Sequence, residues 1–300
     1  MKTAQPAHLA RWAGWRLLNP YLLILPFFAF VGLFVFWPVA YSVFLSTMEW
    51  KLGYASREFV LLDNYVKLFA SREFWDATVN TLVYTVFMVV FSIGFGLLLS
   101  LAITRRERFS SMWQAVFFLP VAATMAAMAV VWRYIFDANL GTLNAILQQI
   151  GLRRIDWLNQ GSTAMGAVIF VSVWSNAGYA MVYFVAGLSA IPRALYEAAD
   201  MDGASPVRKF FAITWPLLSP TTLFVMIIMM VRALGSFDII KVLTNGGPVG
   251  ETRVLSLLLY QEAFQFFDTG YASGIAVVLF ILVLALALLQ MKVEKWVHYQ

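Results

Sequence analysis

The sequence predicts an all-α membrane protein that crosses the bilayer six times. Hydrophobic residues make up 61% of its 300 positions and charged ones 12%, against about 45–50% apolar and about 25% charged in soluble domains. The surplus is gathered into six stretches, each close to the roughly 20 residues that a helix needs to cross about 30 Å of hydrocarbon. Strand alternation is absent. A helix is the open-ended form that pairs every backbone N–H and C=O within its own segment, as lipid requires.

Residues 1–19 form a basic amphipathic tail with Lys2, Arg11 and Arg16, rich in Trp and Leu like an interfacial helix. The first span is placed at residues 21–46. It is longer than a signal-peptide core and lacks a small-x-small exit, so retention is expected. A loop of mixed charge runs to residue 73, giving a first unit of residues 20–73. The second span, residues 78–103, precedes a very short loop with Arg105, Arg106 and Arg108. The third, residues 112–136, contains Pro120, where a kink is expected because one helical carbonyl loses its partner. It ends on Trp132-Arg133-Tyr134, an interfacial anchor. Spans four, five and six follow at residues 165–190, 216–235 and 271–291, before a short tail at 292–300. Gly94, Gly96, Gly178 and Gly187 offer small surfaces for helix packing, with a gating role as the alternative.

Six spans leave both termini on one side, and short Lys- and Arg-rich loops mark that side as the cytoplasm. The tails, the Arg105 loop and the segment holding Arg193, Arg208 and Lys209 are therefore expected inside, with the other loops outside. The net charge of +5 sits beside span ends. It speaks for membrane orientation and contact with lipid and against nucleic acid. The chain has no cysteine, which excludes disulfides and thiolate metal sites. Its histidines, His8 and His298, lie in the tails, and neither H-E-x-x-H nor G-x-S-x-G occurs. No lysine follows a glycine, so a P-loop is missing. No catalytic or metal-binding set remains, and no cofactor is expected on this chain.

Polar groups at mid-span mark a solute pathway by default. Span four carries Ser172, Trp174, Ser175, Asn176, Tyr179 and Tyr183. Of these, Ser172, Asn176, Tyr179 and Tyr183 recur every three to four residues on one helical face. Aromatic rings and paired donors and acceptors suit a sugar, and interhelical hydrogen bonding by the same groups is the alternative. In span five, Gly235-Ser236 is a point where the helix can loosen, which brings Ser236 into the path. Arg232 is costly in lipid unless paired or wetted. Either it is a structural or snorkelling arginine, or it meets a substrate anion, and pairing with Asp238 would require a break at Gly235.

Between spans four and five lies a polar insert of two short helices. Pro192 suits a first helical turn, Gly203 a left-handed helix end, and Ser205-Pro206 a second helix start. Glu197-Ala198-Ala199, Gly203 and Ile213 to Pro216 resemble the EAA loop of binding-protein-dependent ABC importer permeases. Trp215-Pro216 stands where that family usually has Leu-Pro. Asn80-Thr81, Leu119-Pro120 and Asn245-Gly246-Gly247-Pro248 resemble its carbohydrate-uptake branch, in particular the maltose and glycerol-3-phosphate importers.

The resemblance implies a type I ABC importer permease (MetI-like) core of five helices at residues 74–291, with one added N-terminal helix and a coupling loop at about 193–215. Glu197, Ala198, Ala199, Asp202 and Gly203 would face an ATPase. Asn245, Gly246, Gly247 and Pro248, a turn cluster in their own right, would help receive a solute-binding protein outside. The expected partners are a second similar permease, two ATP-binding cassette subunits that use ATP and Mg, and an extracytoplasmic binding protein. The expected place is the bacterial inner membrane. An ion-gradient-driven transporter and a non-transporting scaffold are the alternatives. Spans one to four lack the Asp or Glu that gradient-driven carriers usually place in their spans.

Overall fold

A computed structural model of the chain describes residues 22–54, 57–104 and 110–294. The expectations for the N-terminal tail, the Arg105 loop and the last six residues lie outside these segments.

The described residues are mostly helical and hold four single helices long and apolar enough to cross a membrane, and two bent pairs that make six candidate crossings if each pair is one span. The single ones are α1 (Leu22–Ser46), α3 (Arg72–Thr104), α7 (Gly161–Ala190) and α13 (Thr269–Glu294). Helix α7 is the centre, with 61% of its apolar stretch buried against none of α1. It packs along α3, while α1 lies at the edge against α13. In α7 and α3, small residues permit the approach. A Cβ on Gly96 would overlap Ala180, one on Gly178 would overlap the Phe117 carbonyl, and one on Gly187 would crowd Thr221 and Leu218. Gly94, expected to help, faces open space.

The third crossing is a pair, α4 (Ser110–Ala122) and α5 (Met125–Ile135), meeting at 95°. The bend falls after Pro120, not at it. Thr124 is extended (ψ 140°), and its hydroxyl caps α5 by accepting from the Ala127 N–H at 3.3 Å. At 13 residues, α4 spans about 20 Å and cannot cross alone.

The fifth crossing is also bent, by 64°, between α9 (Pro206–Leu217) and α10 (Ser219–Leu234). The bend falls at Leu218 (ψ −5°), two residues after Pro216, where span five is expected to begin. Both α1 and α9 contain one widened turn ahead of a Trp-Pro pair. The Trp37 N–H bonds to Gly32 and the Trp215 N–H to Phe210, each five residues back. Pro38 and Pro216 have no N–H and would strike the carbonyl four residues back in a regular helix, so the wider turn makes room for the ring.

Short helices fill the connections: α2 (Asp63–Ala70), α6 (Thr142–Gln149), α8 (Arg193–Met201), α11 (Asp238–Leu243) and α12 (Leu255–Phe264). The loop after α1 also holds a hairpin that the lack of alternation does not suggest, β1 (Met48–Glu49) antiparallel to β2 (Glu58–Phe59). Two-residue strands are too short to show a period. Buried Asn64 clamps this region by donating to the carbonyls of Ser46 and Met48, each at 2.9 Å.

Candidate functional site

Three places along α3 and α7 gather the predicted functional residues. At mid-bundle, α10 ends at Leu234 and the chain breaks at Gly235 before α11. The break opens a cavity of about 210 Å³ whose lining includes Asn176, Arg232, Ser236 and Asp238. Arg232 does not use the break to reach Asp238: no ion pair joins them among the described residues. Its Nε donates to Asn176 Oδ1 at 2.8 Å, and its guanidinium lies 4.2 Å from the Tyr179 ring centre. Asn176 in turn donates to the Ser172 carbonyl at 2.8 Å. The Tyr84 hydroxyl, fully buried on α3, joins the Ser172 and Ser236 hydroxyls at 2.9 Å each. Side chains from α3, α7 and the end of α10 thus form one polar network in an apolar bundle.

The structure therefore brings Ser172, Asn176, Tyr179, Arg232 and Ser236 together. Tyr183 packs edge-on to Phe224 at 5.3 Å, about 10 Å along α7 from Asn176. Trp174 points the other way, 38% exposed and edge-on to Trp132 at 5.3 Å. Two residues beyond Ser172 is a rotation of about 200°, which carries it to the opposite face. Ser175 is buried and its hydroxyl has no partner. Tyr84 escapes the sequence reading. The available signal is a phenol inside an apolar stretch, four residues after Asn80.

The second place is an elbow made of α8 and α9. Gly203 has φ +68°, its N–H bonds to Asp200 and the Ala204 N–H to Ala199 at 3.0 and 2.9 Å, the paired bonds of a Schellman helix end. Ser205 caps α9 by accepting from the Arg208 N–H. Lys209 pairs with Asp200 across the bend, and the Tyr196 and Thr214 hydroxyls meet at 2.8 Å. Pro192 is extended and precedes the helix as its cap instead of lying in the first turn. Glu197, Ala198, Asp202 and Gly203 are exposed, Ala199 half-buried and Met201 90% exposed. Trp215 lies against Phe210 with ring centres 6.2 Å apart.

The third place is the loop from Asn245 to Gly250. Asn245, Gly246, Val249 and Gly250 all have positive φ, whereas Gly247 does not and joins Pro248 through a cis bond. Asn80 on α3 donates to the carbonyls of Gly250 and Arg253 at 3.0 and 3.1 Å, and Thr81 accepts the Leu255 N–H at 2.8 Å. Arg253 pairs with Glu73, Lys241 donates to Asn245 Oδ1 at 2.8 Å, and the Thr252 hydroxyl donates to Gly247 at 2.8 Å. These ties hold Val249 fully exposed at φ +46°, a conformation rare for a β-branched residue. Below it lies a cavity of about 740 Å³ lined by the first turns of α3.

The elbow abuts the other end of that helix, since Leu98, Leu101 and Thr104 line a cavity of about 1060 Å³ with Tyr196, Lys209 and Phe210. At 1.5 Å per residue, Asp76 and Leu101 are about 37 Å apart, more than a hydrocarbon core.

Residues 81–299 match the family model described as binding-protein-dependent transport system inner membrane component. The chain is 38% identical over 280 residues to a probable ABC transporter permease protein, YurN of Bacillus subtilis, covering 92% of this chain and 96% of that protein. It is 34% identical over 282 residues to the sn-glycerol-3-phosphate transport system permease protein UgpA of Agrobacterium fabrum, covering 93% and 96%. In fold it is similar to a chain of a bacterial alginate ABC transporter solved with an alginate pentasaccharide-bound periplasmic protein. That match has a TM-score of 0.83 at 23% identity and covers 94% of this chain and 96% of that one. The match over residues 81–299, together with the long apolar helices and the rigid exposed elbow, places the chain in the family of binding-protein-dependent transport system inner membrane components, the permeases of ABC importers.

Proposed function

We propose that the chain carries a sugar or sugar-like solute inward by alternating access, as one half of a permease pair driven by two ATPase subunits. One observation carries this reading: two exposed, rigidly tied surfaces, the elbow and the Val249 loop, lie at opposite ends of one helix, with a polar cavity between them. The elbow, with Arg193, Arg208 and Lys209, faces the cytoplasm together with both termini. There Glu197, Ala198, Ala199, Asp202 and Gly203 meet an ATP-binding cassette subunit. The Val249 loop, with Asn245, Gly246, Gly247 and Pro248, faces outward and receives the loaded binding protein. A non-glycine residue held at positive φ and in full solvent contact marks such a site, because strain persists where the surroundings impose it.

The chemistry is mechanical. ATP closes the two cassettes, the elbows approach each other, and the crossings open outward around Asn176, Tyr179 and Ser236. Solute passes from the binding protein to these hydrogen-bonding groups, and hydrolysis by the partner subunits, with Mg, restores the inward-facing form. The relatives named for glycerol 3-phosphate and alginate support a polyol or saccharide scaffold. The test is uptake into proteoliposomes holding the complete complex and its binding protein, with and without internal ATP. Uptake that requires ATP is expected. Uptake driven by an ion gradient in the chain alone would refute the proposal.

A further inference from the structure

The geometry points to Arg232 as an anion-binding residue, so that the solute passing this permease carries a phosphate, sulfonate or carboxylate group. The inference rests on the cavity being the solute path and adds its charge selectivity. Arg232 lines the cavity beside Asn176, Ser236 and Asp238. Its Nε is used by Asn176 and its face by Tyr179. No hydrogen bond or ion pair reaches Nη1 or Nη2 among the described residues. The remaining edge is the two-pronged donor that matches two oxygens of one oxyanion.

A guanidinium in an apolar span is costly unless paired or wetted, and half-buried Arg232 has only neutral partners, Asn176 and Tyr179. Asp238 shares the cavity but is exposed and makes no ion pair with Arg232. The surrounding Asn176, Tyr179, Ser236 and Tyr84 are neutral. A solute oxyanion entering from the outer end supplies the missing charge, while the Asn176 and Tyr179 contacts hold the fork open towards it. Tyr179 also lies on the same α7 face as Ser172 and Asn176, so one solute can meet the charge and the neutral donors together.

The test uses the complete complex with its own binding protein in proteoliposomes. The probes are sn-glycerol 3-phosphate, a sulfonated hexose and an oligo-uronate, against glycerol and maltose as neutral counterparts. The expected result is ATP-dependent uptake of one of the anionic probes. Arg232→Gln should raise its KM by about 10- to 100-fold, with assembly by size exclusion unchanged, and Arg232→Lys should recover part of the loss through its point charge. Asp238→Asn should lower KM by removing a like charge. ATP-dependent uptake of a neutral probe alone overturns the proposal, as does a wild-type KM in Arg232→Gln. So does an Asp238→Asn loss as severe as that of Arg232→Gln, which would make Asp238 the counter-ion. ATP-independent uptake by the wild type overturns the importer reading itself and this proposal with it.

Discussion

Gly203 sets the elbow angle, and its replacement separates backbone geometry from contact. Its φ is +68°, and nothing lies within 4 Å of the position a Cβ would take, so Gly203→Ala meets no neighbour in this chain. It carries only the cost of an L-residue in the left-handed region, about 1–2 kcal/mol. That is about a 5- to 30-fold shift against the bent form, on a bend still held by the Lys209–Asp200 pair and the Tyr196–Thr214 contact. Gly203→Pro is different in kind. It removes the N–H that bonds to Asp200 at 3.0 Å and demands φ near −65°, a rotation of about 130°, so the bend must be rebuilt. The assay is solute-stimulated over basal ATP hydrolysis in the reconstituted complex. The alanine variant should keep most of the stimulation and the proline variant should lose it, with basal hydrolysis retained. Full stimulation in Gly203→Pro would refute the idea that the elbow transmits motion. A loss in Gly203→Ala as deep as in the proline variant would show that the methyl group strikes the ATPase.

Asn80→Ala leaves the Gly250 and Arg253 carbonyls without their donor and should loosen the Asn245–Gly250 loop by about 1–3 kcal/mol, read as weaker capture of the binding protein by biolayer interferometry. Val249→Asp should abolish that capture while the complex still elutes at its wild-type volume. Gly96→Leu drives a side chain into Ala180 and the Met181 backbone and should prevent α3 and α7 from closing, seen as loss of membrane-inserted protein. Burial, then the nearby Asp268 charge, raises the Glu262 pKa above its ordinary 4.5. The folded form therefore binds this proton more tightly, and stability should fall as pH rises from about 4.5 through the raised value. Glu262→Gln should flatten that part of the thermal-unfolding profile.

The apolar helices are legible in the sequence because apolar runs of this length have one solution in lipid, and the elbow because Gly203 and Ser205-Pro206 encode their own conformations. The bend of the third crossing is not, because Pro120 gives a strong local signal, whereas the turn depends on Thr124 becoming extended, which a common residue does not announce. The α7 stripe is readable from spacing for Ser172, Asn176 and Tyr179. The same arithmetic sets Trp174 aside. What spacing does not reveal is partnership across helices. Tyr84 meets Ser236 across 152 residues and Asn80 meets Gly250 across 170, contacts that exist once the bundle has assembled. The Arg232 partner stays open in the sequence for the same reason, since Asn176 lies 56 residues away and Asp238 only six.

Helix α3 runs unbroken for 33 residues, fastened near its start to the Val249 loop and set near its end against the elbow. A stiff rod of this kind turns a small tilt into a large stroke: about 10° over about 37 Å displaces one end by about 6 Å relative to the other. That is longer than one helical turn and wide enough to admit or shut out a small hydrated molecule. A hinge anywhere along α3 would absorb that stroke before it reached the far side.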